Sequence, residues 1–126
     1  MSEVIIDTDI LINFLRGREK ARDFLLSVLR ESNLSCSAIT VAEIYAGMKE
    51  LEKEKTGELI DGLNVIPVDR AIAEKAGQYK GGIKSHTLEL DDCLVAATAF
   101  LRKAVLATGN GKHYPMADIR KVVAGC

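Results

Sequence analysis

The stretch VIIDTDIL, residues 4–11, places two carboxylates inside an apolar segment. Val4 to Ile6 contain no polar residue, Asp7 and Asp9 follow, and apolar residues resume at once. A charged carboxylate among buried apolar side chains costs free energy unless it is paired, hydrogen-bonded or bound to a cation. We therefore interpret Asp7 as a functional carboxylate, whereas Asp9 either caps the helix that follows or supports the site.

Length and composition predict one globular domain. The chain has 126 residues, of which 48% are hydrophobic and 28% charged, so it can bury a single core. Its net charge of -1 gives no overall attraction for nucleic acid, and any such binding must use a local patch.

The cysteines and the apolar runs indicate the cellular compartment of the protein. Cys36, Cys93 and Cys126 are odd in number and far apart, which argues against a disulfide framework or a zinc ribbon. Cys36 and Cys93 are expected to be small buried residues in a reducing compartment. The run CLVAATAFL (93–101) is much shorter than the ~20 residues of a membrane span. We expect a soluble, cytoplasmic protein.

Short apolar runs alternate with helical patterns along the whole chain. This alternation predicts an α/β fold, a parallel sheet of four to five strands flanked by helices. Asp69 is placed to cap the helix that follows the third strand. The predicted strands are residues 3–7, 34–38, 64–68 and 104–108, with 119–123 as a candidate fifth; the predicted helices are 10–17, 18–32, 40–55, 70–82 and 91–104.

Acidic and amide side chains lie where such a sheet forms its sites, beyond the carboxyl ends of the strands. Asp7 ends the first strand, Glu43 follows the second, Asp92 opens a late helix and Asn110 follows the fourth strand. If these ends converge, the carboxylates repel one another unless a cation neutralises them. Oxygen ligands suit Mg²⁺ or Mn²⁺, and a hard cation held loosely can activate water on a phosphodiester. The pattern thus indicates nuclease chemistry.

Each acid also has a purely structural interpretation. Thr40 and Glu43 match the S/T-x-x-E capping box, in which Glu43 bonds back to the helix start. Asp91 is expected to be the N-cap of its helix and Asp92 the residue that faces inward. His86 and His113 are too separated to suggest a zinc site and are expected to be surface or loop residues. Four basic residues form either a rim near the acids or scattered surface charge: Arg16, Arg18, Lys80 and Lys84.

Four stretches together resemble the successive signatures of PIN-domain ribonucleases, in particular the VapC-type toxins of toxin–antitoxin pairs. They are VIIDTDILINFL (4–15), ITVAEIYAGM (39–48), LELDDCLVAATA (88–99) and LATGNGKHYPM (106–116). The resemblance implies a single PIN-like nuclease domain over residues 1–126 with a three-layer fold. It also implies an Mg²⁺- or Mn²⁺-dependent endoribonuclease, commonly a homodimer, that is inhibited by a small antitoxin inserting a segment near the acidic site.

The resemblance also implies roles for individual residues. Asp7, Glu43 and Asp92 match the family's three acids and metal ligands, Asp9 a supporting polar group, and Thr108 the threonine that ends the fourth strand. Many members carry a fourth acid two residues after that threonine, where this chain has Asn110. Asparagine can position water but adds no negative charge, which weighs against a second metal ion and against high activity.

Our leading hypothesis is a metal-dependent ribonuclease. Asp7 and Asp92 hold the cation, Glu43 orients or deprotonates the attacking water, and Asn110 supports it. One alternative is a PIN-like protein that binds RNA or protein without cutting. Another is a phospho-accepting receiver-type domain, which needs an aspartate after a central strand, and Asp69 is the candidate for that position.

Overall fold

The computed structural model describes residues 2–125, so Cys126 lies outside the described residues. Strands and helices alternate, as the sequence predicts. The strands are β1 (Ser2–Ile6), β2 (Ser32–Ser37), β3 (Asn64–Ile66), β4 (Val105–Thr108) and β5 (Arg120–Val123). The helices are α1 (Thr8–Leu15), α2 (Glu19–Leu29), α3 (Ala38–Gly47), α4 (Lys53–Asp61), α5 (Arg70–Gly82) and α6 (Leu90–Arg102).

The five strands form one parallel sheet in the order β3-β2-β1-β4-β5. The predicted α/β fold is therefore confirmed, including the fifth strand. β1 lies at the centre, with β2 on one side and β4 on the other. The chain thus changes direction across the sheet at β1, and a crevice for ligands forms beyond the strand ends at such a point. Asp7 is the first residue after β1.

Two apolar clusters fill the space between the sheet and its helices. Ile5 belongs to one cluster, while Val4 and Ile6 belong to the other, because successive strand residues point to opposite faces. α5 and α6 cover the first face, and α1, α2 and α3 contribute to the second. Cys36 and Cys93 are fully buried and free, as predicted.

The side chain of Asp69 fixes where α5 begins. Asp69 caps α5 by accepting a hydrogen bond from the backbone N–H of Ile72 at 2.9 Å, which confirms the predicted cap. β3, which precedes Asp69, is an edge strand. The receiver-type alternative is therefore wrong, since it requires the aspartate to follow a central strand.

The predicted helix over residues 40–55 is interrupted. α3 ends at Gly47, and Met48 adopts an extended backbone conformation with ψ 139°. A 3₁₀ turn follows at Glu50–Glu52 before α4 begins. The break redirects the chain, and Leu59 and Ile60 of α4 then pack against the core beside β3. Within residues 2–125, no helix is long and apolar enough to cross a membrane.

Candidate active site

Asp7 lies at the centre of the carboxyl edge of the sheet. It is 6% exposed and serves as the N-cap of α1. One carboxylate oxygen accepts the backbone N–H of Thr8 at 2.8 Å, and the other accepts the hydroxyl of Thr108 at 2.7 Å. Burial raises the pKa of Asp7, and the Thr108 hydrogen bond opposes part of that effect. Thr108, at the end of β4, therefore holds this carboxylate in place.

Asp9 ties the start of α1 to the loop after β4. Its Oδ1 accepts the N–H of Ile10 at 2.8 Å and its Oδ2 accepts the N–H of Gly109 at 3.0 Å. The cap of α1 is Asp7, so the capping alternative for Asp9 is wrong. Its contacts are those of a residue that supports the loop beside Asp7.

Glu43 lies within α3 and faces α1. The Thr8 hydroxyl is 2.6 Å from Glu43 Oε1 and 3.0 Å from the Thr40 hydroxyl. The capping-box interpretation of Thr40 and Glu43 is wrong, because the cap of α3 is Ser37, which accepts the N–H of Ile39 at 3.2 Å. Thr40 is instead fully buried. Glu43 is thus free for a role in the site.

The pKa of Glu43 is shifted into the neutral range. Burial, followed by the neighbouring carboxyl of Asp91, raises this pKa to about 7. The same contact lowers the pKa of Asp91, so Glu43 is the protonated member of the pair. At neutral pH, Glu43 can therefore both accept and release a proton.

Asp91 and Asp92 lie in the first turn of α6. The expected cap at Asp91 is wrong by two residues, since Glu89 occupies the N-cap position; Asp91 accepts the N–H of Asp92 at 2.9 Å. The side chain of Asp92 is 18% exposed, which agrees with the inward orientation that was predicted. Burial, followed by the charges of Asp91 and Asp7, raises the pKa of Asp92 to about 6. Asp7 and Asp92 thus lie close enough for their charges to repel each other.

Tyr114 and His113 complete the surroundings of Asp92. Tyr114 is fully buried, and its hydroxyl donates to Oδ1 of Asp92 over 3.3 Å. The nearby Tyr114 phenol also slightly lowers the pKa of Asp7. Nδ1 of His113 is 3.5 Å from the other oxygen of Asp92. His113 is exposed in a loop as expected, but its contact with Asp92 and the role of Tyr114 were not predicted.

Asn110 lies at the exposed side of the same loop. Its backbone N–H donates to the Thr108 hydroxyl at 3.0 Å, and its side-chain Nδ2 is 3.1 Å from Nε2 of His113. Asn110 therefore joins the histidine to the end of β4.

The four basic residues are all exposed. Lys80 donates through Nζ to the carbonyl of Leu88, just before α6, and its charge acts on the Cys93 thiol. Lys80 thus lies beside the segment that carries Asp91 and Asp92. Arg16 and Arg18 follow the end of α1, and Lys84 follows α5. Among the four basic residues, Lys80 alone has a contact, within residues 2–125, that places it near the acids.

The donor set suits a hydrated hard cation. Within residues 2–125, no group of three or more His, Cys, Asp or Glu side chains is arranged closely enough to enclose a metal ion. Mg²⁺, however, typically takes one or two carboxylates and keeps several waters. Burial first, and repulsion from neighbouring carboxylates second, raise the pKa values of Asp7 and Asp92, and a bound cation would offset both effects. These two carboxylates fit such an ion.

Comparison with known proteins agrees with this geometry. The family model named PIN domain matches residues 4–119 of this chain. Ribonuclease VapC10 of Mycobacterium tuberculosis is 36% identical over 115 residues, which are 90% of this chain and 86% of that protein. A toxin–antitoxin complex from Klebsiella pneumoniae contains a chain with 28% identity and a TM-score of 0.79, covering 91% of this chain and 92% of its own. VapBC2 from Rickettsia felis, bound to a promoter DNA fragment, has the same fold, with a TM-score of 0.84, 19% identity, and coverage of 95% of this chain and 97% of its own. The chain described here belongs to the PIN domain family.

Proposed function

We propose that the protein is a metal-dependent endoribonuclease that hydrolyses RNA phosphodiester bonds and acts as the toxin of a VapBC-type toxin–antitoxin pair. The observation that carries this proposal is the meeting of Asp7 and Asp92 around Tyr114 at the carboxyl end of the central strand. Family membership adds support, because the matched Mycobacterium tuberculosis relative is named as a ribonuclease.

Asp7 and Asp92 are the residues that would hold Mg²⁺ or Mn²⁺, with Glu43 completing the acidic set directly or through water. When bound, the cation supplies charge neutralisation of the phosphodiester and lowers the pKa of a coordinated water. Thr108 and the Thr8 backbone fix both oxygens of Asp7, so the direction of this carboxylate is set before any ligand arrives.

Glu43 is suited to orient the attacking water and accept its proton. A general base works best when its pKa is near the working pH, and the pKa of Glu43 is about 7. Thr8 donates to Glu43 and thereby holds its carboxyl group beside the acids. Asn110 and Asp9 support the loop on the opposite side of Asp7.

The first test is cleavage of a panel of end-labelled RNA stem–loops by the purified protein with Mg²⁺, Mn²⁺ or EDTA. We expect metal-dependent cutting, and we expect Asp7→Asn to slow it by about 100-fold or more, because a buried charge aimed at the reaction is lost. Asp69→Asn is a matched control: it makes the same chemical change at the edge strand, and asparagine still caps a helix.

If Asp7→Asn cleaved at the wild-type rate, the site assignment would be wrong. If folded wild-type protein bound RNA but cut none of it under any metal condition, the non-catalytic alternative would be favoured.

The proposed partner is a cognate antitoxin, because the similar Klebsiella pneumoniae chain was solved in a toxin–antitoxin complex. We also propose a cytoplasmic location, which an RNA substrate supports, and a homodimer as the assembly. Co-expression with the product of the adjacent reading frame tests the partner. A stable complex whose formation abolishes RNA cleavage is the expected result.

A further inference from the structure

The loop between β4 and β5 brings Tyr114 and His113 to the acidic site. It contains one 3₁₀ turn, Gly111–His113, and otherwise has no regular structure. The turn is closed by backbone hydrogen bonds from His113 to Asn110 at 3.2 Å and from Tyr114 to Gly111 at 3.1 Å. These local bonds set the shape of the turn but not its position relative to the sheet. Its position needs contacts from outside the loop.

Lys121 on β5 provides such contacts. Its Nζ donates to the backbone carbonyl of Tyr114 at 2.7 Å and to that of Gly111 at 3.3 Å. One ammonium group therefore holds both ends of the turn, and hydrogen bonds from a charged donor are stronger than those between neutral groups. The backbone of Lys121 is itself fixed, since it pairs with Leu106 in the central part of β4.

The turn also fits closely against the same strand. A Cβ atom added at Gly111 would lie 2.9 Å from Cγ2 of Val123, so the backbone of Gly111 lies against this side chain in a space that suits glycine. Lys121 and Val123 thus form one docking edge for the turn. Tyr114 follows the turn directly, and its hydroxyl contacts Asp92.

We propose that Lys121 is a positioning residue that acts through Tyr114 and His113 on Asp92. Its effect on cleavage rests on the proposed ribonuclease function, whereas its effect on the position of the loop does not. A different interpretation is that Lys121 only adds positive charge that attracts RNA. The two interpretations are separated by Arg120, which lies next to Lys121 on the same strand but donates to the carbonyl of Lys103 at the far end of α6.

Three variants test the proposal: Lys121→Met, which keeps the aliphatic stem and removes the donors, Lys121→Arg, which keeps charge and donors, and the control Arg120→Met. On an RNA stem–loop that the wild type cleaves, Lys121→Met is expected to lower kcat by about 10- to 100-fold with little change in KM, because it misplaces the loop rather than weakening RNA binding. Lys121→Arg should restore most of the rate, and Arg120→Met should leave it unchanged.

A second readout does not depend on cleavage. The chain has two histidines, so the ring signals of His86 and His113 can be assigned in a ¹H–¹³C spectrum with one His86→Gln variant. Lys121→Met should shift the His113 signal in the direction produced by Asp92→Asn, while the His86 signal stays in place and the dispersed methyl signals of the same spectrum report an intact fold. Arg120→Met should shift neither signal.

A double-mutant cycle tests whether Lys121 acts through Tyr114. If Lys121 acts through this phenol, Lys121→Met costs less kcat in a Tyr114→Phe background than in the wild type; fully additive losses overturn that step. Equal losses of kcat in Lys121→Met and Arg120→Met would show a general charge effect. An unchanged His113 signal in Lys121→Met would overturn the positioning role, even if no RNA is cleaved by the wild type.

Discussion

The two central carboxylates differ in how well their neighbours stabilise their charge. Asp7 accepts two short hydrogen bonds, at 2.7 and 2.8 Å. Asp92 is 3.3 Å from the Tyr114 hydroxyl and 3.5 Å from the His113 ring, and its pKa is raised to about 6. A raised pKa means that ionised Asp92 is less favourable in the folded protein than in the unfolded chain. In the absence of a cation, Asp92 is therefore a source of instability.

Asp92→Asn is expected to stabilise the metal-free protein at pH 8. A pKa that moves from 3.8 to about 6 corresponds to a penalty of ~3 kcal/mol for the ionised form, and solvent screening of this partly exposed group reduces the penalty to the order of 2 kcal/mol. Asparagine removes the charge and can still accept the Tyr114 hydrogen bond. Urea unfolding in EDTA measures the change in the free energy of unfolding.

The control for this prediction is Asp118→Asn. Asp118 accepts from Tyr79 at 2.7 Å and pairs with Lys75 at 3.0 Å, and these partners lower its pKa. Removing its charge should therefore destabilise the protein, the opposite sign. Destabilisation by Asp92→Asn as well would contradict the interpretation of Asp92 as strained.

Individual acids could be predicted from sequence because their positions follow from the ends of strands. Asp7 directly follows an apolar run, and a parallel sheet brings the ends of neighbouring strands together. Tyr114 and His113 could not be predicted in the same way. They lie in an irregular loop, and their contacts with Asp92 depend on how that loop docks on β5, which no local periodicity encodes.

At the scale of elements, the sequence predicts type better than extent. The bounds of α5 match the prediction for residues 70–82, where Asp69 supplies a clear cap. The predicted helix over residues 40–55 is interrupted at Met48. Packing of α4 against the core requires a change of direction there, and the charged pattern KELEKEK (49–55) does not indicate it. Tertiary packing decides this boundary, and helix propensity alone does not.

The contact between the 3₁₀ turn and β5 gives an element-scale prediction. Gly111→Ala places a methyl group 2.9 Å from Val123 Cγ2, so either the turn or the Val123 side chain must shift. We expect a loss of about 1 kcal/mol in the free energy of unfolding, measured by urea denaturation, and a further loss of RNA cleavage.

The matched test is the same substitution in a Val123→Ala background. Val123 is 58% exposed, so its truncation alone should cost little. Space is then available for the new methyl group, and Gly111→Ala should become nearly neutral. An unchanged cost in that background would show that contact with Val123 is not what requires glycine at this position.

For the whole molecule, two sets of carboxylates make opposite contributions to stability. Burial and mutual repulsion raise the pKa values of Asp7, Glu43 and Asp92 at the site. At the opposite end of the sheet, Glu3 accepts two hydrogen bonds from Arg102, at 2.8 and 3.0 Å, and its pKa is lowered. One edge of the sheet thus carries carboxylates whose charge is unfavourable in the folded protein, which we call the strained acidic edge, and the other carries a carboxylate whose charge is stabilised. This arrangement is expected when the first edge is reserved for a cation.

These shifts predict how the stability of the metal-free protein depends on pH. A raised pKa contributes stability that is present below the unfolded value and lost as the pH rises through the folded value: from 4.5 to about 7 for Glu43, and from 3.8 to about 6 for Asp92. Glu3 and Asp118 act in the opposite sense, since their contribution is lost as the pH falls below their ordinary pKa values of 4.5 and 3.8.

In EDTA, the Tm should therefore be highest at about pH 5, where the contributions of the two sets of carboxylates balance, and should decline towards pH 8. Mg²⁺ or Mn²⁺ should reverse that decline, because the ion binds the deprotonated carboxylates of the folded state. Thermal melts from pH 4 to 8 (about the range of these carboxyl groups) with and without the ion measure both effects, and a Tm that rises steadily to pH 8 in EDTA would show that the acidic edge is not strained.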